Sequence, residues 1–205
     1  MSFLFFLKIS KYPSYILDYL IIPCYKFFWR KEGVIIGDRT NFMGKPIIKL
    51  IKGSKISIGN DSLFISRSLQ TALGVSHQIV LRTLKEDAAL ILGDHVRMSG
   101  TTICAAKYVK IGDRCVIGAD VIIADTDFHS LNSEIRSSKE DNIAAKCNPI
   151  FIGNDVFIGG RSIILKGVTL GDNVVVGAGS VVTKSFGNDL IIAGNPAKII
   201  GNKLL

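Results

Sequence analysis

Asp125, Asp127 and His129 stand at alternate positions in the stretch VIIADTDFHSLNSEIR. An imidazole titrates near neutral pH and can take a proton from a hydroxyl as that hydroxyl attacks an electrophile. A carboxylate beside the ring can hold one tautomer and stabilise the imidazolium that forms. Either aspartate can supply that support, and spacing does not choose between them. The competing role for His129 is a hydrogen bond at a loop corner. His95, in LGDHVRM, occupies an ordinary position of the chain's repeat and is expected to point outward. His77, in GVSHQIVLRT, is expected to be structural. No two histidines lie closer than eighteen residues, so the close-spaced pair of a zinc site is missing and no metal is expected.

Other chemistries find little support. The four cysteines, Cys24, Cys104, Cys115 and Cys147, form no CxxC pair. Cys104 and Cys115 fall among aliphatics at repeat positions. They are expected to point inward as buried thiols with no base beside them, so covalent catalysis through a cysteine is not expected. There is no GxxxxGK[ST] loop and no GxGxxG opening a helix, which removes nucleoside-triphosphate and dinucleotide sites. No nucleic-acid partner is expected. The net charge of +8 fits an anionic ligand or an anionic membrane surface as well as plain solubility.

The element that must position Asp125, Asp127 and His129 is a repeat. Ile152, Ile158, Ile164, Leu170, Val176 and Val182 recur every sixth residue, and four of the six residues that follow them are glycine. The same beat runs through Ile111-Gly112, Ile117-Gly118 and Ile123-Ala124, and more loosely through Leu92-Gly93, Met98-Ser99 and Cys104-Ala105. Isolated copies stand at Ile36-Gly37 and Ile58-Gly59. Six matches neither a helix nor an alternating strand. It predicts short β segments joined by corners, three sides to a coil of about eighteen residues, with aliphatics stacked inside. The fold class is therefore all-β, a parallel β-helix, over residues 33–205. From Ile123 to Ile152 is too long for one continued coil. A protruding loop is expected near residues 125–149, and it begins with the two aspartates and the histidine.

Residues 1–32 read differently. Ten of the seventeen aromatics lie between Phe3 and Trp29, interleaved with Lys8, Lys11, Lys26, Arg30 and Lys31. Charges and Pro13 interrupt the segment before it reaches the roughly 20 apolar residues of a membrane span. It lacks the pattern of a secretory signal. Two readings stay open: a helical cap on the body or on another subunit, or an arm with aromatics and cations at a membrane interface. A cytoplasmic location fits, with peripheral attachment to the inner face of the membrane under the second reading.

The stretches PIFIGNDVFIGGRSIILKGVTLGDNVVVGAGSVVTKSF, AGNPAK and IGADVIIADTDFHSL resemble the hexapeptide-repeat acyltransferases. They are most similar to bacterial sugar O-acetyltransferases, including the maltose and galactoside enzymes and those that decorate capsule, O-antigen or exopolysaccharide. The resemblance covers roughly Gly33 to Lys203. It implies a left-handed β-helix, whereas the general rule for parallel crossovers favours the right hand. It further implies a homotrimer with active sites between subunits, acetyl-CoA as co-substrate, a glycan acceptor and His129 as the catalytic base. By the same resemblance, Gly159, Gly160, Ala178 and Ser180 border the pantetheine arm. Thr183 and Lys184 lie near the phosphates and Lys198 near the adenosine end. Arg161 departs from the small residue that many relatives carry. N-acetylation of an amino sugar is the alternative within the class, and a non-catalytic scaffold or membrane-docking protein is the alternative outside it.

Overall fold

A computed structural model describes residues 13–203, with side chains from residue 21 onward. The body is a three-sided prism of stacked parallel strands. The first face runs from Ile35–Ile36 through Lys55–Ile58, Ala89–Leu92, Tyr108–Ile111 and Ile150–Ile152 to Thr169–Leu170. The second begins at Asn41–Met43 and ends with Val175–Val176 and the antiparallel pair Leu190–Gly194 and Ala197–Asn202. The third runs from Ile47–Lys49 through Val80–Thr83, Thr102–Ala105, Ile122–Ala124 and Ile163–Leu165 to Val181–Val182.

The six-residue beat becomes columns of inward side chains. Leu92, Ile111, Ile152 and Leu170 stack on the first face, and Met98, Ile117, Ile158 and Val176 on the second. The third face departs from the expected beat. Ile103, not Cys104, stacks on Ile123 and Ile164, and Cys104 follows in register with Ala124. The corner after Met98 is one residue shorter than the corner after Ile117, so the inward position falls five residues on instead of six. Cys104 is nevertheless buried, as is Cys115.

The corner between the first and second faces explains why glycine precedes Asp or Asn so often. Each Asx side chain accepts the backbone N–H of its counterpart one coil earlier: Asn60 from Asp38, Asp94 from Asn60, Asp113 from Asp94, Asn154 from Asp113, Asp172 from Asn154 and Asn188 from Asp172, at 2.6–3.0 Å. This ladder satisfies corner amides that have no strand partner. It also brings the coils so close that a Cβ on Gly112 would lie 2.6 Å from both the Gly153 carbonyl oxygen and Asn154 Oδ1. His95 sits in this corner, exposed and at φ 57°.

A stack of apolar side chains needs its ends covered. Helix α1 (Pro13–Lys31) covers the first coil. Ile22 and Trp29 are buried, and the Trp29 ring meets Phe42, which stacks on Phe64 in the core. Lys26 and Arg30 turn toward the body and donate to the carbonyls of Thr40 and Ile36. The described part of the N-terminal segment thus packs one side on the body. Lys8 and Lys11 lie outside the described residues. No helix among the described residues is long and apolar enough to cross a membrane.

Two loops interrupt the prism. One, residues 125–149, leaves the corner between the third and first faces. The other, residues 66–79, leaves the corner between the second and third faces and was not expected. Ser76 ties it down, donating from its amide and its hydroxyl to the Asp120 carboxylate at 2.8 and 2.7 Å.

Candidate active site

The loop that begins at Asp125 is closed at its base. Asp127 N–H donates to Lys146 O, Asn148 N–H donates to Asp125 O, and Thr126 bridges Cys147. Two short helices, α2 (Ser133–Arg136) and α3 (Asp141–Ala144), fold inside it. Asn132 caps α2 by accepting the Glu134 amide, and the Arg136 guanidinium donates to the carbonyls of Ser130 and Leu131. Phe128, at φ 62°, turns the chain so that His129 faces outward.

The carboxylate that holds His129 is neither of the two expected. Asp125 is fully buried, and its oxygens accept the backbone N–H groups of Ala106, Lys107 and Tyr108 at 2.6–2.8 Å. It fastens the corner of the coil below. Asp127 Oδ1 accepts from Lys166 Nζ at 2.5 Å, while its Oδ2 is buried without a hydrogen-bond partner. His129 Nδ1 instead meets Asp141 Oδ2 at 2.5 Å, and Asp141 Oδ1 accepts the Ser130 amide at 2.7 Å. Asp141 is twelve residues away, on α3. Its hydrogen bond to His129, followed by that to the Ser130 amide, holds its carboxyl below the usual carboxylate range.

An ionised carboxylate only accepts, so Nδ1 is the donor in this contact, and in the neutral ring Nε2 keeps a lone pair. The His129 side chain is 64% exposed and that of Asp141 12%. An open ring backed by a covered carboxylate is the arrangement a general base needs. His129 borders a cleft of about 570 Å³ walled by Leu84, Phe128 and Ile143, with Lys85, Glu86 and Asn142 as polar groups.

The residues expected to border a cofactor divide between two corners. Gly159, Gly160 and Ala178 lie where the second face turns into the third. Gly160, Arg161 and Ala178 line a groove of about 260 Å³ there, closed on the far side by Leu73 and Gly74 of the 66–79 loop. Gly159 is buried beneath, and a Cβ on it would come 2.5 Å from the Ala178 nitrogen. Lys198 is exposed and pairs with Ala193, whose Cβ lies beside Gly177 at the same corner. Ser180 is buried. Its hydroxyl donates to Gly177 O and accepts the Gly194 amide, which commits it to the closing hairpin and turns it away from the groove. Thr183 and Lys184 are exposed and follow strand Val181–Val182, at the corner from which the His129 loop springs.

A family model described as the hexapeptide repeat of succinyl-transferase matches residues 108–124 and 149–184. The galactoside O-acetyltransferase of Escherichia coli is 41% identical over 99 residues, 48% of this chain and 46% of that protein. The chain carries that model's repeat and is similar to hexapeptide-repeat acetyltransferases. It covers less than half the length of that curated relative. An N-acyltransferase from Bacillus cereus, solved with dTDP and 3-hydroxybutyryl-CoA, superposes with a TM-score of 0.59 at 21% identity, over 87% of this chain and 88% of that one. A hexapeptide-repeat acetyltransferase from Vibrio cholerae with acetyl-CoA gives 0.56 at 22% identity, over 88% and 77%. These likenesses establish the left-handed β-helix fold for this chain.

Two features of this hexapeptide-repeat protein escaped sequence reasoning. Asp141 sits in the polar run SSKEDN, where nothing but its proximity to His129 in the fold distinguishes it. The 66–79 loop hides because the repeat is faint on both sides of it. Neither His77, whose Nδ1 meets Gln78 O, nor His95 approaches His129 in a metal-binding cluster, and the described residues hold no group of three ligands close enough for an ion.

Proposed function

We infer that this chain is an acetyl-CoA-dependent O-acetyltransferase that modifies a sugar hydroxyl of a surface polysaccharide precursor. The observation that carries this reading is the His129–Asp141 pair at the edge of the 570 Å³ cleft. An acceptor hydroxyl in the cleft gives its proton to His129 Nε2 as its oxygen attacks the thioester carbonyl of the donor substrate. Asp141 keeps Nδ1 protonated and offsets the charge of the imidazolium. The C–S bond breaks, the imidazolium returns the proton to the departing sulfur, and the acetyl ester leaves with the acceptor. No covalent enzyme intermediate is required. Burial raises the thiol pKa of Cys104, and that of Cys115 to about 11, so neither is a ready thiolate.

The division of residues between two corners supports a homotrimer. His129, Thr183 and Lys184 stand at one edge of the third face, and Gly160, Ala178 and Lys198 at the other. A donor lying in the crevice between two copies touches the first set on one copy and the second set on its neighbour. The corner suits a polyanionic thioester: Arg161 and Ala178 line the groove, Gly179 beside them is exposed, and Lys198 stands on the closing hairpin of the same corner. The deciding experiment is release of free thiol from acetyl-CoA with a panel of glycans and amino sugars. Acceptor-dependent release by the parent and its loss in His129→Ala is the expected result. Product linkage by NMR separates ester from amide. Release that is independent of acceptor, or unaffected by His129→Ala, overturns the reading.

A further inference from the structure

The end of the prism covered by α1 carries a surface that the chemistry above does not use. Ile22, Trp29, Lys26 and Arg30 face the body, which fixes the opposite side of the helix outward. There Phe27 is 56% and Phe28 58% exposed, the two rings meeting edge to face. Beside them the first coil presents Ile47, at 39%, and Ile51, at 42%. Exposed aromatic and aliphatic groups side by side on one end of a water-soluble body are unusual without a partner.

The cations around this patch indicate what covers it. Phe28, Lys45, Ile47 and Lys49 border one shallow groove, and Lys49, Ile51 and Lys52 border the next. Glu32 is the acid that lines both. Lys31 and Lys45 rest over the rings of Phe27 and Tyr25. None of Lys31, Lys45, Lys49 and Lys52 pairs with a carboxylate among the described residues. Aromatic rings set among unpaired lysines, with one acid between them, complement a surface that is apolar below and anionic at the boundary.

We propose that this end of the prism docks on an anionic lipid bilayer. Phe27 and Phe28 enter the headgroup boundary, and Lys31, Lys45, Lys49 and Lys52 meet lipid phosphates. Lys26 and Arg30, which sequence alone counts among the interfacial cations, instead rivet the helix to the body and so hold the docking face rigid. Three strand spacings of the third face separate Ile47–Lys49 from Ile122–Ala124, about 14 Å in all. Docking therefore sets the His129 cleft a short reach above the bilayer. The use of that reach for a lipid-linked glycan rests on the acetyltransferase reading, whereas the docking itself does not.

Co-sedimentation of the full chain with vesicles tests the docking without any assay of activity. One set of vesicles is phosphatidylcholine, the other equal parts phosphatidylcholine and phosphatidylglycerol. Binding is expected to the second set only, and to weaken as salt rises. The triple substitution Lys45→Gln, Lys49→Gln and Lys52→Gln should lower partitioning about 100-fold. Phe27→Ser with Phe28→Ser should lower it as well, with no change of mass by light scattering. Equal binding to both vesicles overturns the proposal. So does parental binding by the triple variant, which would assign attachment to another part of the chain. A fall in oligomeric mass of the Phe27, Phe28 variant would show that a second copy covers this face instead.

Discussion

His129 Nδ1 and Asp141 Oδ2 lie 2.5 Å apart, although Asp141 stands twelve residues on in the chain, beyond the short helix Ser133–Arg136. The other oxygen of Asp141 takes the amide of Ser130, the residue next to the histidine. One carboxylate therefore sets both the ring and the backbone that carries it.

Removing either partner should slow turnover without unfolding the prism. His129→Ala should lower kcat about 10²–10⁴-fold. Asp141→Asn should also lower it by about 10²–10⁴-fold, because an amide in that place no longer holds Nδ1 protonated or balances the imidazolium. The KM for acetyl-CoA should change little in both. Steady-state kinetics alongside thermal melts checks this, and near-parental turnover in Asp141→Asn removes that residue from the mechanism.

The loop should loosen in acid before the prism does. The Asp141 pKa is depressed in the folded chain, so its bonds stabilise the loop fully above its unfolded value of about 3.9. That contribution is lost as pH falls through the lower folded value. Protease sensitivity within residues 130–145 should rise in that window while the coils stay intact. Asp141→Asn should show the same sensitivity at neutral pH.

Asp125 should behave as a structural residue. Asp125→Ala strips the acceptor from three backbone donors, one of them buried, and should lower stability by about 2–3 kcal/mol. Activity per folded molecule should fall far less than in Asp141→Asn. Denaturant melts and active-site kinetics on the same preparation separate the two effects.

The proposed division of the site between copies predicts complementation. His129→Ala damages one edge of the third face, and Ala178→Trp fills the groove at the other. Each variant alone should be inactive. Coexpressed, they should assemble some crevices with an intact histidine edge facing an intact groove, and activity should return. No recovery in verified mixed oligomers would place both halves in one chain.

Alkylation should rank the thiols by burial. At mildly alkaline pH Cys24, which is exposed, should react before Cys104 and Cys115, whose thiols burial keeps protonated. Mass spectrometry of native and denatured samples reads the order. Cys115→Ser should leave the thiol-release rate intact.

What sequence alone determined about this protein is what the stack repeats. An inward aliphatic must recur once per side, so Ile152, Ile158, Ile164, Leu170, Val176 and Val182 declare the prism without reference to any neighbour. The break after Ile123 declares the loop, because a coil cannot absorb that many residues. His129 is legible as the histidine of that loop. The tertiary structure alone decided which carboxylate serves it. Asp125, Asp127 and Asp141 are chemically equivalent in a polar segment, and their roles differ only through what the fold brings within reach: three backbone amides, Lys166, or the imidazole. The same holds for the slip from Cys104 to Ile103, which depends on one missing residue in a corner. It holds also for Lys26, Arg30 and Ser180, whose polar groups are spent on the body itself. A periodic apolar pattern acts through local geometry and can be read along the chain. A hydrogen-bond partner is chosen by distances across the fold, and those exist only once the coils are stacked.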